Sequence, residues 1–343
     1  MLNIYYKPIT QCNLNCLHCY VPEEHKKDKN ILNIDKTIEI FEKILIYASN
    51  KKEPVNIIFH GGEPMLMGIE YYSSIYKYFK NTDNINFSLQ TNLTLYNPSW
   101  DYIIENMFNS RIGTSFDLCR RLNNSFLKFF RIWNKKYKEA LNKFDIYIDI
   151  TVTKQFLEKG IIFWNNFFKK MNFKRYGFEY FLPLANDIQN NQNLFYPYKD
   201  YLKFLMDYCD FLEKKGEEIN FYPLNISNRN SRYIFSSGPL SGKCIDNRIT
   251  IMPNGDISFC PCMDGIVIFG NIFQSNLESI MNSKKRISLI IKANLSNCFD
   301  CKYNLSCIGG CYAYRIIHKV SSIKDNTDGY CEKIHEYINK HIK

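Results

Sequence analysis

Short apolar, β-branched runs alternate with helix-like stretches through the first two-thirds of this 343-residue chain, and this alternation limits the possible folds most strongly. Helical spacing of apolar residues is clearest over 34–49 and 71–81. The predicted strands are 2–10, 54–60, 85–91, 111–117, 145–153 and 176–183. Strands that alternate with helices form a parallel sheet with the helices outside, and six such units are enough for a complete or a partial barrel. We therefore predict an α/β fold, a partial (β/α)6 TIM-like barrel.

The regular alternation ends before the last third of the chain. It weakens after residue 184, a further helical stretch lies near 197–215, and from Gly238 onward the segments become short, glycine-punctuated and cysteine-rich. We place a domain boundary between 225 and 240, which gives a core domain of residues 1–230 and a second domain of residues 231–343. The second domain is too small to build much of a core unaided, so bound metal is a physically sensible source of its stability.

Composition and charge exclude several classes of protein. Hydrophobic residues make up 45% of the chain and aromatic residues 16%, which is a globular composition. No apolar run approaches the roughly 20 residues that a membrane span needs, and the first residues do not form a signal peptide. The net charge of +10 is spread without a long basic block, so we interpret most of it as solvated surface. The alternative is that it attracts an acidic segment of a substrate. We expect a soluble, cytoplasmic protein with no nucleic-acid or membrane partner.

Thirteen cysteines require a chemical explanation, because a reducing cytosol disfavours structural disulfides and directs the interpretation toward metals or catalysis. Three lie near the N-terminus and eight lie between Cys244 and Cys331. Cys119 and Cys209 stand alone, and we predict that both are small buried hydrophobic residues.

The N-terminal cysteines lie in the segment TQCNLNCLHCY, directly after the first predicted strand. Cys12, Cys16 and Cys19 have the i, i+4, i+7 spacing of one helix face, but Asn13 and Asn15 favour a turn or loop. Three thiolates on a loop could bind three irons of a cubane cluster and leave the fourth iron for an outside ligand.

The same segment resembles the CxxxCxxC signature of radical S-adenosylmethionine (SAM) enzymes, with Tyr20 in the aromatic position that follows the last cysteine. The resemblance implies that Cys12, Cys16 and Cys19 hold a 4Fe-4S cluster whose open iron binds SAM. In that family the reduced cluster cleaves SAM to a 5′-deoxyadenosyl radical.

The segment HGGEP, residues 60–64, resembles the glycine-rich SAM motif of that family. Two glycines allow the backbone to approach a ligand closely, and Glu63 can accept hydrogen bonds from an ammonium group. The resemblance assigns Gly61, Gly62, Glu63 and Pro64 to SAM binding. Read without the cysteine triplet, the same five residues could form an ordinary strand-to-helix turn.

Two further strand ends match segments that line the SAM site in relatives, LQTN at 89–92 and TSFD at 114–117. Ser115 is the candidate contact to the ribose or the carboxylate. The complete set of candidate cofactor-binding residues is Tyr20, Gly61, Gly62, Glu63, Pro64, Thr91, Asn92 and Ser115. The continuation FDLCRRLNN departs from the family pattern, so neither Arg120 nor Arg121 is assigned a contact.

The C-terminal cysteines have the spacing that small domains use to bind metal. The candidate ligands are Cys244, Cys260, Cys262, Cys298, Cys301, Cys307, Cys311 and Cys331. Zinc is the alternative on spacing alone. Without Cys262, the pattern resembles the seven-cysteine SPASM extension of radical SAM enzymes, which holds two auxiliary 4Fe-4S clusters.

The resemblance implies that Cys244, Cys260 and Cys311 serve the first auxiliary cluster, and that Cys298, Cys301, Cys307 and Cys331 serve the second. The first cluster is then one ligand short. Cys262 either supplies that ligand, which we favour, or is a bystander beside Cys260 and leaves an iron open to a substrate thiolate.

SPASM-type relatives mostly modify ribosomally made peptides, so the resemblance implies an oxidative crosslink in a peptide, such as a thioether or carbon-carbon bond. The alternative is a sulfatase-maturing enzyme that oxidises Cys or Ser to formylglycine. Relatives of that kind tend to carry an Asp directly after the second SPASM cysteine, where this chain has Pro261. A second alternative is a non-catalytic iron-sulfur electron carrier.

Candidate catalytic bases are Asp117, Glu179 and Asp264, each of which could equally be a structural hydrogen-bond partner. The expected partners are a peptide or protein substrate, with an acidic leader segment as one option, and an electron donor such as flavodoxin or ferredoxin. Because the sequence opens directly into the first strand, we expect no winged-helix leader-binding domain.

Overall fold

A computed structural model describes residues 1–21, 26, 30–182, 192–221, 224–225, 244–263, 265–294, 301–303, 311–317 and 330–341. The strands are β1 (Leu2–Tyr6), β2 (Val55–Phe59), β3 (Ile85–Thr91), β4 (Arg111–Ser115), β5 (Asp145–Val152), β6 (Arg175–Tyr180), β7 (Asn220–Phe221), β8 (Leu224–Asn225), β9 (Arg248–Ile251), β10 (Asp256–Ser258) and β11 (Gly270–Asn271). The helices are α1 (Ile34–Lys51), α2 (Ile69–Phe79), α3 (Asp101–Met107), α4 (Phe126–Leu141), α5 (Lys154–Met171), α6 (Tyr198–Lys214), α7 (Cys244–Asn247), α8 (Leu277–Met281), α9 (Lys284–Asn294), α10 (Tyr312–Ile317) and α11 (Tyr330–His341). Helix α5 is interrupted at Gly160, whose φ is 76°.

The chain forms two compact units. Unit 1 comprises Met1–Ser115, Cys119–Tyr147 and Asp246–Leu289, and unit 2 comprises Phe116–Leu118, Ile148–Ile245 and Ile290–Lys343. The domain boundary predicted between 225 and 240 lies almost entirely outside the described residues and stays a prediction.

Parallel strands form the centre of unit 1. Its strand order is β11-β10-β9-β1-β2-β3-β4, with β1 to β4 parallel and in sequence order. Residues Leu2 and Tyr6 of β1 lie opposite Val55 and Phe59 of β2. Alternate side chains of these two strands are buried, as expected for strands that each contribute one face to a core.

The C-terminal region adds three strands to unit 1 that the sequence interpretation did not anticipate. Strand β9 pairs in parallel with β1, from Asn3 opposite Arg248 to Tyr6 opposite Ile251. Strand β10 then pairs antiparallel with β9, and β11 antiparallel with β10. Part of the cysteine-rich region is therefore built into the same sheet as the first strand.

The helices of unit 1 begin and end where the sequence supplies capping groups. The Asn33 side chain accepts a hydrogen bond from Lys36 N at 3.0 Å and caps α1, and Lys52 ends that helix in the left-handed conformation. Helix α1 buries Phe41 and Ile44 completely. Ser125 caps α4 in the same way as Asn33 caps α1.

Unit 2 has a markedly aromatic core. Phe178 of β6 contacts Phe156, Phe204 and Tyr208, with ring centroids 5.0 to 5.9 Å apart. Helix α11 lies against α6, where Lys340 forms an ion pair with Asp210. Each buried aromatic ring removes a large apolar surface from water, which stabilises this unit.

The sheet of unit 1 is open, because among the described residues its end strand β11 pairs on one side only. This confirms the predicted α/β fold with a partial rather than a closed barrel. Five of the six predicted strands are shorter in the structure. The first, for example, ends at Tyr6 and not at residue 10, and residues 7–10 lead into the cysteine loop. Strand β3 has the predicted bounds. None of the described helices combines the length and apolarity that a membrane span requires.

Candidate active site

The cysteine triplet lies on an irregular loop directly after β1, as Asn13 and Asn15 predicted, and not on a helix. The segment that follows β4 holds this loop: Asn15 N donates to Arg121 O at 3.0 Å, and Leu17 N donates to Cys119 O at 3.0 Å. Cys119 is fully buried, as predicted. Cys119 and Arg121, which lie in the segment FDLCRRLNN that departs from the family pattern, therefore support the cysteine loop through their backbone carbonyls.

Asparagine side chains fix the loop further. Asn13 Nδ2 donates to Thr94 Oγ1 at 2.9 Å and Asn13 Oδ1 accepts from Asn92 Nδ2 at 2.8 Å. The Asn15 amide is hydrogen-bonded to Asn124. Sequence reasoning identified Asn13 and Asn15 as turn residues but missed Thr94 and Asn124, which lie far along the chain.

The sulfur of Cys12 accepts hydrogen bonds. Leu14 N lies 3.4 Å from Cys12 Sγ and Asn92 Nδ2 lies 3.7 Å from it. Burial, with the Glu63 carboxylate second, raises the pKa of the Cys12 thiol to about 12. Cys12 is therefore protonated when no metal is bound, and a metal must displace this proton in order to bind.

The three thiols are the donor type that iron-sulfur clusters take, and their assignment as cluster ligands stays a prediction. All three are described and part-buried, and they do not converge closely enough for one metal ion to touch them all. A cubane does not require that, because each cysteine binds a different iron. Donors to the sulfurs are among the features by which proteins tune such clusters.

Gly61 and Gly62 lie against the backbone that leads into the cysteine loop. Gly62 N donates to Ile9 O at 3.1 Å, and the next residue, Glu63, donates from its N to Gln11 O at 2.9 Å. A Cβ on Gly61 would lie 2.3 Å from Ile9 O, and one on Gly62 would lie 1.9 Å from Gln11 O. In the structure these glycines therefore allow a close approach to the backbone at Ile9 and Gln11, whereas the sequence predicted a close approach to a ligand.

Glu63 is fully buried, and both its carboxylate oxygens already accept hydrogen bonds. Oε1 accepts from Thr91 Oγ1 at 2.6 Å and from Met65 N at 3.0 Å, and Oε2 accepts from Asn92 N at 2.7 Å. Burial raises the pKa of Glu63, and these hydrogen bonds and Arg120 oppose that effect. A carboxylate has about four acceptor positions, and three are used by these hydrogen bonds. The predicted contact with the SAM ammonium would use the fourth, and it stays a prediction.

His60 and Lys7 form a second group beside the glycines, and sequence reasoning assigned neither a role. Gly61 N donates to His60 Nδ1 at 2.8 Å, and Tyr20 OH lies 3.2 Å from the same nitrogen, so Nδ1 is an acceptor. Burial, with the charges of Lys7 and Arg120 next, lowers the pKa of His60 to about 3. His60 is therefore neutral at physiological pH.

The other candidate SAM contacts lie at neighbouring strand ends. Thr91 of β3 is opposite Thr114 of β4, and the Ser115 hydroxyl accepts from Gln90 Nε2 at 3.1 Å. Pro64 is buried and begins a 3₁₀ turn, Pro64–Met67, that Glu63 caps. The structure thus brings Thr91, Asn92 and Glu63 into contact, while the SAM contacts of all these residues stay predictions.

The three candidate bases differ in their surroundings. Asp117 is 1% exposed, just after β4. Glu179 is exposed on β6. Asp264 lies outside the described residues, so the structure does not test it.

The C-terminal cysteines divide between the units. In unit 1, Cys260 directly precedes the 3₁₀ turn Pro261–Met263 that follows β10, and Cys262 lies within that turn. Cys244, Cys301, Cys311 and Cys331 belong to unit 2. Cys298 and Cys307 lie outside the described residues. The predicted ligand sets therefore stay predictions.

A histidine that sequence reasoning missed lies beside one of these cysteines. His335 Nε2 is 3.8 Å from Cys301 Sγ, and the His335 ring stacks on Tyr303 with centroids 3.9 Å apart. Cys331 lies one helical turn earlier on α11. No finger-like spacing could reveal this pair, because 34 residues separate Cys301 from His335.

Two sequence families account for this architecture. Residues 6–156 match the Radical SAM superfamily, and residues 243–302 match SPASM, an iron-sulfur cluster-binding domain. The chain therefore combines a radical SAM domain with a SPASM domain. This combination implies a 4Fe-4S cluster that works with SAM, and auxiliary clusters in the SPASM domain.

Within that class, the chain is homologous to anaerobic sulfatase-maturating enzymes. It is 27% identical to the cysteine-type enzyme of Clostridium novyi, over 99% of this chain and 95% of the relative. It is also 27% identical to the cysteine-type enzyme of Clostridium perfringens, over 98% and 95%.

Solved structures share the fold. The structure of anSMEcpe with bound AdoMet superposes with a TM-score of 0.79 at 23% identity, over 99% of this chain and 96% of that one. SuiB of Streptococcus suis superposes with a TM-score of 0.60 at 18% identity, over 93% and 75%.

We predict that Gly62→Ala destabilises the metal-free protein by roughly 2 to 3 kcal/mol, because the added Cβ meets fixed backbone atoms. The cysteine loop must then shift, so reconstituted iron content should fall as well. Urea unfolding and iron analysis measure the two effects. The control is Gly113→Ala, whose Cβ would meet the movable Gln90 side chain at 1.8 Å. Equal losses in both variants would contradict the backbone contact as the cause.

We also predict that Glu63→Gln lowers the free energy of unfolding by about 2 kcal/mol. The new amide N–H must face one of the N–H or O–H groups that now donate to the carboxylate. The unfolding midpoint of the metal-free protein in urea measures this. Glu70→Gln, at an exposed site on α2, is the matched control and should change little. A Glu63→Gln protein as stable as the wild type would contradict the buried network.

Proposed function

We propose that this chain is a radical SAM/SPASM enzyme that oxidises a Cys or Ser side chain of a protein substrate to formylglycine. The observation that carries the proposal is the near full-length similarity to cysteine-type anaerobic sulfatase-maturating enzymes. This favours the alternative of the sequence analysis over its main interpretation, a peptide crosslink. A similarity that covered one domain alone would say less about the substrate.

In the proposal, Cys12, Cys16 and Cys19 hold the cluster that binds SAM, and this group supplies a 5′-deoxyadenosyl radical when bound and reduced. The Gly61–Gly62 contact with Ile9 and Gln11 fixes where the cysteine loop begins. Glu63 holds the end of β3 through Thr91 and Asn92. These residues orient SAM and exclude water around it, which protects a reactive intermediate.

A base must remove a proton from the substrate during such an oxidation. Asp117 is the candidate that we favour, since it is buried at a strand end where a carboxylate is shielded from bulk water. Asp264 is the second candidate, because it lies four residues after Cys260. Glu179 is the weakest of the three, since it is exposed.

Peptide crosslinking is the second candidate function, and one observation favours it. The position after Cys260 is occupied by Pro261, whose carbonyl accepts a hydrogen bond from Lys7 Nζ at 3.1 Å. A proline there cannot act as the base that the resemblance implies for sulfatase maturation. Either another residue acts as the base after hydrogen abstraction, or the enzyme catalyses a different reaction.

The proposed partners follow from the reaction. A reductant such as flavodoxin or ferredoxin would supply the electron for the cluster. The related anSMEcpe has been solved with the Cp18Cys peptide, which supports a peptide segment as the part of the substrate that is bound here. The net charge of +10 would suit an acidic segment in that substrate.

The test is an anaerobic incubation of the reconstituted enzyme with SAM, dithionite and Cys-containing peptides of sulfatase type. We expect 5′-deoxyadenosine and a peptide in which the Cys has lost its sulfur and become an aldehyde. The aldehyde is detected by its reaction with a hydrazine and by mass spectrometry. The Cys12→Ala enzyme is the control and should produce neither.

Other outcomes separate the alternatives. Loss of two hydrogens with the sulfur retained would indicate a crosslink and contradict formylglycine formation. Absence of 5′-deoxyadenosine from a fully iron-loaded enzyme would contradict radical catalysis and favour an electron carrier.

We predict that Cys262→Ala lowers the iron content of the SPASM domain, because this thiol completes the first auxiliary cluster in the proposal. Iron analysis and electron paramagnetic resonance (EPR) spectra of the reduced protein measure this. Cys209→Ala is the control, since Cys209 is fully buried in unit 2 and lies outside both cysteine motifs. Unchanged iron and an unchanged auxiliary signal would show that Cys262 is a bystander.

A further inference from the structure

Lys7 is a fully buried lysine at the point where β1 ends and the chain turns toward the cysteine loop. Its backbone N donates to Ile251 O at 2.9 Å, which continues the pairing of β1 with β9. This hydrogen bond fixes the Lys7 backbone, and the contacts of the ammonium group hold the side chain.

The Lys7 ammonium touches two segments that each carry predicted cluster ligands. It donates to Pro261 O at 3.1 Å, between Cys260 and Cys262. It also lies 4.8 Å from the centre of the Tyr20 ring, directly after Cys19. All of these residues belong to unit 1.

Burying an ammonium group is costly, and an apolar side chain of the same length would fill this space without that cost. The Pro261 carbonyl and the face of the Tyr20 ring are two of the contacts that recover part of this cost. The peptide group between Pro261 and Cys262 is polarised by the cation, so its N–H becomes more positive on the side of Cys262. Thiolate-bound clusters carry net negative charge, and a nearby positive charge stabilises the form with one more electron.

We propose that Lys7 is a positioning residue whose fixed positive charge raises the reduction potential of the auxiliary cluster bound through Cys260. Lys7 contacts the peptide group between the two cysteines, and this contact makes the auxiliary cluster a better electron acceptor. The inference rests on the cluster sites and not on which substrate is oxidised.

The neighbourhood of Lys7 supports a charged side chain at this position. The positive charge of Lys7 is one of the causes, after burial, of the low pKa of His60. His60 is part-buried and accepts a hydrogen bond from Gly61 N at Nδ1, so a proton on that nitrogen would abolish this bond.

The experiment compares Lys7→Met with the wild type in full-length, reconstituted protein. Both carry Cys12→Ala, Cys16→Ala and Cys19→Ala, which removes the SAM cluster and leaves the auxiliary signals alone. EPR-monitored redox titration gives the midpoint potentials. We expect reduction in Lys7→Met to be about tenfold less favourable, a downward shift of about 59 mV for one electron.

Two variants distinguish charge from packing. Lys7→Arg keeps the charge and should keep most of the potential. Lys43→Met removes a comparable contact, since Lys43 Nζ donates to Ile272 O at 2.8 Å on the same C-terminal segment, and should leave the potential unchanged. If Lys7→Met binds too little iron to titrate, Lys7→Gln, which keeps a donor without the charge, replaces it and should show the same shift.

An unchanged midpoint potential in Lys7→Met or Lys7→Gln at full iron content would overturn the proposal and leave Lys7 as a structural residue. A shift of equal size in Lys7→Arg or in Lys43→Met would overturn it as well. These results do not depend on formylglycine formation, because no substrate is present.

Discussion

The contact between two backbone segments, Gly61–Gly62 and Ile9–Gln11, is the constraint on which the site depends. Each segment leaves a neighbouring parallel strand, and hydrogen bonds to Ile9 and Gln11 join them just before Cys12. A side chain at either glycine would occupy the space of a carbonyl oxygen. The start of the cysteine loop is therefore positioned by contacts between backbone atoms. Glycine is required at positions 61 and 62 because a Cβ at either one would overlap a carbonyl oxygen.

A network of polar side chains extends this constraint to the third strand. Glu63 binds Thr91 and Asn92, Asn92 binds Asn13, and Asn13 binds Thr94, so the acidic residue and the cysteine loop share one set of hydrogen bonds. A buried network of this kind is stable only when every member has a partner. It holds in place the loop that carries Cys12, the first of the three predicted iron ligands.

Much of the fold could be predicted from the sequence, because alternating apolar strands and amphipathic helices are local patterns. The cysteine motifs were equally readable, since their spacing is short. What the sequence could not reveal depends on distant contacts: β9 beside β1, His335 beside Cys301, and Lys7 beside Pro261. A lone lysine near a strand end normally indicates a solvated surface, and only the pairing of β1 with β9 buries this one.

The same pairing gives the chain an unusual order of assembly. Strand β1 leaves the ribosome long before β9, which is one of its two neighbours in the sheet. Until residues 248–251 are synthesised, one edge of β1 presents unpaired N–H and C=O groups. Contacts between such distant parts of a chain form slowly, and the exposed edge in the interval is a surface on which a partly made chain can aggregate. A nascent chain that stops before β9 therefore keeps an open sheet edge next to the three cysteines of the triplet.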